Sequence, residues 1–314
     1  EPSAHKERAE PSADFEANVE GKAAPQGAVT DAGARLVSSR SRLSIDPLID
    51  AVAVMPLEAP IPGESALAAM PLSRRAGSKP MLIEGLDAET GIWEPPAVGR
   101  RYSEFQAGVQ MANRAGALNE IEYSEFVQKI QSFADDIGSV PDFSDMIDVV
   151  ARARELDQFA QAHDAQLALH VVAQSVSWSV GYLQQMAGRH GFQSGALPGQ
   201  LLLASSEPEG PPLVVISFDA QAALADDPDQ AALRRFTVSL DVAQSPESLE
   251  PFSVWQRVAA ALAKDMDGSL LDDDDRPVSL QQFASIHVEL QRLYKALESR
   301  DLAAGSWPAR RLFS

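Results

Sequence analysis

Residues 251–298 read PFSVWQRVAAALAKDMDGSLLDDDDRPVSLQQFASIHVELQRLYKALE, and this stretch decides the fold. Its pattern is helix, acidic turn, helix. Pro251 stands at the first helical position, where a missing N–H costs nothing. Trp255, Val258, Ala259, Leu262 and Met266 recur at the spacing of one buried helix face. Gly268 is expected to end this helix in the left-handed conformation. The second helix opens on Ser279 and Gln282, an S-x-x-Q capping box. Its apolar stripe is Phe283, Ile286, Leu290, Leu293 and Leu297. Between the helices, Leu270 and Leu271 precede a run of Asp, which predicts a short strand leading into an exposed turn.

Working outward, Phe236 to Val242 alternates apolar and polar residues, so Phe236, Val238, Leu240 and Val242 form a core row. Leu167 to Val172 reads as another strand, and Val214, Ile216 and Phe218 as the inner row of a third. Strands and helices in this order predict an α+β domain, with a sheet covered by helices on one face.

The stretch resembles the end of the FtsZ-binding domain of the bacterial division protein family ZipA. That family closes a helix on A-D-E-V-G-G, continues with V-V-L-D-D and ends in a last helix. Ala263-Lys264-Asp265-Met266-Asp267-Gly268-Ser269-Leu270-Leu271-Asp272-Asp273 fits this pattern without a gap. Phe236–Val242 is similar to the family's central strand, Leu167–Val172 to its first strand, and Gly191-Phe192 to the end of its first helix. The resemblance covers roughly residues 165–298. Gln200-Leu201-Leu202-Leu203 departs from it, standing where the family has a His-containing strand.

Composition sets bounds. The chain has 314 residues, room for two ordinary domains, and 45% are hydrophobic, enough for packed cores. A net charge of −19 disfavours phosphate backbones, so nucleic acid is not an expected partner. The absence of cysteine removes disulfides, thiolate nucleophiles and Cys-ligated zinc. No run of about 18 apolar residues is present to span a membrane. The chain does not begin with Met. The resemblance implies an N-terminal transmembrane anchor that precedes it and a position at the cytoplasmic face of the inner membrane, at the division site.

Residues 1–45 are rich in Ala, Glu, Ser, Pro and Arg, and are expected to be a disordered linker. Order is expected from about Ile45. Strands are predicted at 49–57, 80–86, 90–94 and 102–112, a short helix at 64–70, and long helices at 121–137 and 144–162. This order of elements repeats that of the C-terminal half. Ala51, Ala53 and Met55 fall on Leu167, Leu169 and Val171 at an offset of 116. Phe126, Ile130, Phe133, Ala134 and Ile137 fall on Trp255, Ala259, Leu262, Ala263 and Met266 at 129, and Ser144 falls on Ser279 at 135. The offset grows only in loops, as expected of two copies. Ala134-Asp135-Asp136-Ile137-Gly138 is itself close to A-D-E-V-G. The expected organisation is two ZipA-like domains in tandem, a divergent one at 46–163 and a second at 164–299. A tail at 300–314 is expected to dock back on its own domain.

No pattern of reaction chemistry emerges. The five histidines lack the H-E-x-x-H spacing, and Asp272 to Asp275 lack the spacing of a calcium loop. There is no phosphate loop and no G-x-S-x-G around Ser194. The chain is read as non-enzymatic, with no catalytic residue, metal or cofactor assigned.

The open sheet face is where a peptide is expected, and the resemblance implies the C-terminal tail of FtsZ as that peptide. Strand parity gives the outward residues. In the second copy they are Ala168, His170, Leu213, Val215, Ser217, Thr237 and Ser239, with Asp241 outward as well. The family carries a bulky apolar residue near the place of Ser239. In the first copy Asp50, Val52 and Val54 face out if Ala51, Ala53 and Met55 face in, and Trp93 stands nearby, with Arg100 and Arg101 available to acidic residues of the tail. Which copy carries the site is open. The function implied is an adaptor tethering FtsZ filaments to the inner membrane. The alternative is a scaffold of the division machinery that binds another partner through its sheet faces.

Overall fold

Alternation governs the first strand. Ala51, Ala53 and Met55 are buried in β1 (Asp50–Pro62), and Val54 between them is exposed. The computed structural model describes residues 44–207, 210–228 and 230–314. The expected linker, up to residue 43, lies outside the described residues. Within them the fold is α+β, built on antiparallel sheets.

The first sheet has the order β1-β5-β3-β2, where β2 is Arg75–Ala76, β3 is Lys79–Asp87 and β5 is Arg101–Gln110. The short β4 (Trp93–Glu94) pairs with the end of β3. Helix α1 (Gly63–Ala69) follows β1, and a small hairpin of β6 (Ala112–Asn113) and β7 (Gly116–Ala117) follows β5. Helix α2 (Glu120–Ile137) starts on a capping box of Asn119 and Glu122 and ends at Gly138, whose φ of 72° is the left-handed stop. It lays Phe126, Ile130 and Phe133 on the sheet, with the Phe133 ring edge-on to Phe105 at 5.6 Å. Helix α3 (Met146–His163) is capped by Asp145 rather than Ser144, because the Asp145 carboxylate accepts the N–H groups of Ile147 and Asp148.

The second sheet has the order β10-β11-β12-β14-β8-β15. These strands are β8 (Gln166–Ala173), β10 (Phe192–Ser194), β11 (Gln200–Leu203), β12 (Val214–Ser217), β14 (Arg235–Asp241) and β15 (Gly268–Leu271). A two-residue pair, β9 (Trp178–Ser179) with β13 (Ala232–Leu233), flanks it. Its helices are α4 (Val180–Arg189), the single-turn α5 (Ala220–Ala223), α6 (Pro251–Asp265) and α7 (Leu280–Glu298). Phe236, Val238, Leu240 and Val242 are buried beneath Trp255, Ala259 and Leu262 of α6. The Trp255 indole donates to the Val238 carbonyl at 2.9 Å, so even this large ring leaves no polar atom unpaired. The capping box of Ser279 and Gln282 forms. Gly268 does not end α6. Asp267 takes the left-handed conformation, with φ 52°, and Gly268 opens β15, where a Cβ would lie 2.7 Å from Val171.

Both sheets place their first long strand beside their last one, and the last beside the middle one: β1-β5-β3 and β8-β14-β12. Where β15 flanks β8, the first sheet has a single bridge. The Asp142 N–H donates to the Val54 carbonyl at 2.9 Å, and the Val54 N–H to Asp142.

The tail corrects an expectation. Helix α8 (Trp307–Leu312) and Phe313 do not return to the second core. Leu302, Ala309, Leu312 and Phe313 are buried in the first core, with Phe105, Phe126 and Phe133. The Gln110 side chain donates to the Arg311 carbonyl at 2.6 Å, and Gln244 from the second half donates to the Phe313 carbonyl at 2.7 Å. Asp50, expected in solvent, is instead 1% exposed, because Arg311 of this tail covers it and pairs with it. A second link crosses the halves. Arg114 donates to both carboxylate oxygens of Asp164 at 2.6 and 2.9 Å, and lies 2.7 Å from Asp241. The described residues accordingly belong to one compact unit.

Candidate functional site on the second sheet

Register assembles the outward residues of the second sheet into rows. Gln193 stands opposite Leu202, Leu202 opposite Val215, Val215 opposite Ser239, and Ser239 opposite Ala168. The neighbouring row runs Gln200, Ser217, Thr237, His170, Leu271. Residues directly opposite on one face have Cβ atoms about 5 Å apart, so each row is a continuous strip. Leu202, Val215, Ala168 and Leu271 are half-buried: their side chains pack on neighbours in the sheet and keep part of their surface in water. Helices α4 and α6 lie on the opposite side, with the core.

Six of the expected site residues are thereby brought together: Ala168, Val215 and Ser239 in one row, His170, Ser217 and Thr237 in the next. Leu213 is not among them. It precedes β12, donates its N–H to the Leu203 carbonyl and is only 8% exposed, in contact with the core. It still borders the depression that opens on this face beside Pro211 and Pro212. Leu202, Gln193, Gln200 and Leu271 belong to the rows and were not foreseen. Three successive Leu in β11 give no alternation from which to read a face.

A depression of about 440 Å³ opens on this face beside Pro211 and Pro212, with Val215, Ser217, Ser239 and Gln200 on its floor. Its polar groups are held in place. The Ser239 hydroxyl donates to the Val215 carbonyl at 3.2 Å. His170 bridges two partners, with Nδ1 3.0 Å from the Thr237 hydroxyl and Nε2 2.9 Å from Asp273. The ring is thus pinned across the sheet rather than free to swing. At one end of the depression burial pushes the Asp241 carboxyl up, while Arg114 draws it down. The acidic turn is occupied with its own donors. Asp272 accepts the N–H groups of Asp274 and Arg276, Asp275 pairs with Arg235, and Asp274 with Arg276. Among the described residues no cluster of three or more His, Asp or Glu suits a metal ion, and no helix is long and apolar enough to cross a membrane.

On the first sheet Val52, Val54 and Trp93 also face away from the core helices, but they do not converge. Val52 and Val54 are in β1, whereas Trp93 is three strands away, opposite Leu86. The row of Val54 continues through Gln106 to Glu84, and the next row passes through Gly108. Ile45 lies over Gly108 and donates its N–H to Glu84 at 3.1 Å, covering the middle of the face. Burial pushes the Glu84 carboxyl up. Arg100 lies 3.6 Å from both Asp87 and Glu94, and Arg101 donates to the Pro60 carbonyl, so both have partners within the fold.

No protein-family model and no curated protein matches the chain. One solved structure, titled "Structure of FgChi7B", aligns over 82% of this chain with 12% identity and a TM-score of 0.20. This chain spans 55% of that one, and a likeness of this degree carries no argument about fold or function.

Proposed function

We propose that the chain is a non-enzymatic adaptor of the bacterial division machinery that captures the C-terminal tail of FtsZ on the open face of its second sheet. On this reading its two halves are copies of one ZipA-like unit. The observation that carries the reading is the pair of adjacent rows, Leu202-Val215-Ser239-Ala168 and Ser217-Thr237-His170-Leu271, over which no helix of the described residues lies. A strip that is apolar at intervals and polar between them suits a short peptide, whose alternate side chains find alternate surfaces. The identity of the peptide rests on the resemblance over residues 165–298. So do the inner-membrane anchor and the position on its cytoplasmic face. The common strand order of the two halves supports duplication, and the Ile45 cover over the middle of the first sheet's face supports reading the second copy as the binding one.

Binding of an FtsZ C-terminal peptide to the whole chain, followed by calorimetry and by amide chemical shifts, tests this. The expected result is micromolar affinity, about −8 kcal/mol at 1 μM, with shifts at Val215, Ser239 and Ala168. Absence of binding at millimolar peptide overturns it. A second reading, a scaffold that binds another division component through the same face, is favoured by Ser239, which puts a small hydroxyl at the centre of the strip.

A further inference from the structure

Strand β8 carries a second feature, on its edge rather than its face. Along one side β8 pairs with β14 from Gln166 to Val172. Along the other, β15 reaches only from Ala173 to His170 and then turns away at Asp272. The pairing pattern fixes where the remaining backbone groups point. The Ala165 carbonyl and the Ala173 N–H bond toward β14, whereas the Gln174 N–H bonds toward Asp267, before β15. Even-numbered residues of β8 therefore turn their N–H and C=O groups to the β15 side. At Gln166 and Ala168 that side has no strand among the described residues.

Those groups face a groove of about 580 Å³ between the β8 edge and helix α7, on the helical side of the sheet. Leu167, Leu169 and Trp255 form its apolar base, and Ile286 of α7 its far wall. Asp272 and Asp273 stand at the end where β15 stops, and no Lys or Arg lines the groove. Asp273 is largely in solvent and touches His170, and Asp272 has Arg276 at 3.8 Å.

The corresponding edge in the first half is closed. The Asp50 N–H bonds to Asp46, Val54 bridges to Asp142, and the Ser139 hydroxyl donates to the Pro56 carbonyl. Folds usually protect an exposed edge with a charge, a Pro or a covering loop; Gln166-Leu167-Ala168-Leu169 contains no charged residue and no Pro, and among the described residues no strand pairs with this side of it. An edge left open above an apolar trough suits strand addition.

We infer that this groove takes an extended segment of a partner protein, added as a further strand beside Gln166–Leu169, with an apolar side chain on Trp255 and Ile286 and a Lys or Arg at Asp273. The backbone of the edge calls for an extended occupant, and the 79% exposed Asp273, whose contact is His170, with no Lys or Arg among the described lining residues, favours a basic one. The groove and the rows of the proposed FtsZ site share Ala168 and meet at the Asp273–His170 contact, so Ile286 reports on the groove and Val215 and Ser239 on the rows.

The probe is a capped hexapeptide of alternating valine and threonine with lysine at both ends, titrated into the isotopically labelled whole chain. Its twin has glutamate in place of lysine. The lysine peptide is expected to shift the amides of Gln166, Ala168 and Ile286 and leave Val215 and Ser239 in place. The glutamate twin should bind at least threefold more weakly. Ile286→Arg fills the groove and should weaken the lysine peptide tenfold or more. Asp273→Lys, on an exposed residue that the core does not need, should reverse the preference between the peptides. The inference is overturned if neither peptide shifts the edge at millimolar concentration, if both bind alike, or if the shifts fall on the Val215 row. It is also overturned if the edge residues shift with protein concentration alone, which would make a second copy the occupant.

Discussion

Arg311 places two guanidinium nitrogens on the two carboxylate oxygens of Asp50, at 2.6 and 2.7 Å, across 261 residues of sequence. Asp50 also accepts the Asp46 N–H at 2.9 Å, and its side chain is fully buried. A carboxylate in this position is stable only while its cation stays. Removing one member of a buried pair typically costs about 3–5 kcal/mol, because the other is left charged and dry. Arg311→Met is expected to lower stability by about that much, read from the urea midpoint at constant slope. The double variant with Asp50→Leu should lose less than Arg311→Met alone.

The tail contributes apolar area as well as charge. Phe313 is 1% exposed and Leu312 is fully buried, both in the first core. Phe313→Ala should cost about 3–5 kcal/mol, the range for large aromatic truncations in packed cores. Hydrogen exchange locates the loss: the amides of β5 and α2 should lose protection before those of β14. Equal loss in both sheets would contradict this packing.

Glu84 gives the protein a pH dependence of known sign. Its carboxyl is buried, accepts from the Ile45 N–H and from the Gln106 amide, and burial holds its pKa above the ordinary 4.5. A group raised in the folded state contributes stability that is complete below its unfolded value and lost as pH rises through the folded one. Glu84→Gln removes that titration. The variant should be more stable than the parent at neutral pH, and the difference should close below pH 4.5. A constant difference across a series of melting curves would argue against it.

For peptide capture the two sheets should differ. Val215→Asp puts a carboxylate at the centre of the open strip on the second sheet, and should weaken the FtsZ-tail peptide at least tenfold, about 1.4 kcal/mol. Val54→Asp alters an exposed position of the first sheet and should leave affinity unchanged. If Val54→Asp were the damaging change, the assignment of the site to the second half would fall.

Periodicity made much of this legible. The stripes Phe126-Ile130-Phe133 and Trp255-Ala259-Leu262 are buried as spaced, and the rows of β8 and β14 alternate as read. What the sequence does not carry is long-range. Nothing local to Asp50 announces Arg311, and an acidic residue at a strand start reads as solvent-facing until a distant cation covers it. Gly268 was read as a helix stop because local conformation is all a single glycine advertises. Its reason for being Gly is the approach of Val171, far away in sequence. The two rows of the candidate site were half legible, since alternating β8 and β14 gave their sides while the Leu run of β11 did not.

The burial of Leu312 and Phe313 in the first core bears on how the chain is made. The last first-half residue of that core is Ala160, and the later residues that complete it are Ala243, Leu297, Leu302, Ala309, Leu312 and Phe313. Phe313 follows Ala160 by 153 residues (313 minus 160). At ribosomal rates of about 5–20 residues per second, roughly 8–30 s separate them. During that interval β1, β5 and α2, already synthesised, lack their closing side chains, and Asp50 lacks its cation. The usual sequence, in which the leading half folds while the trailing half is being translated, is therefore interrupted here: the second half can close first, and the first half waits for it.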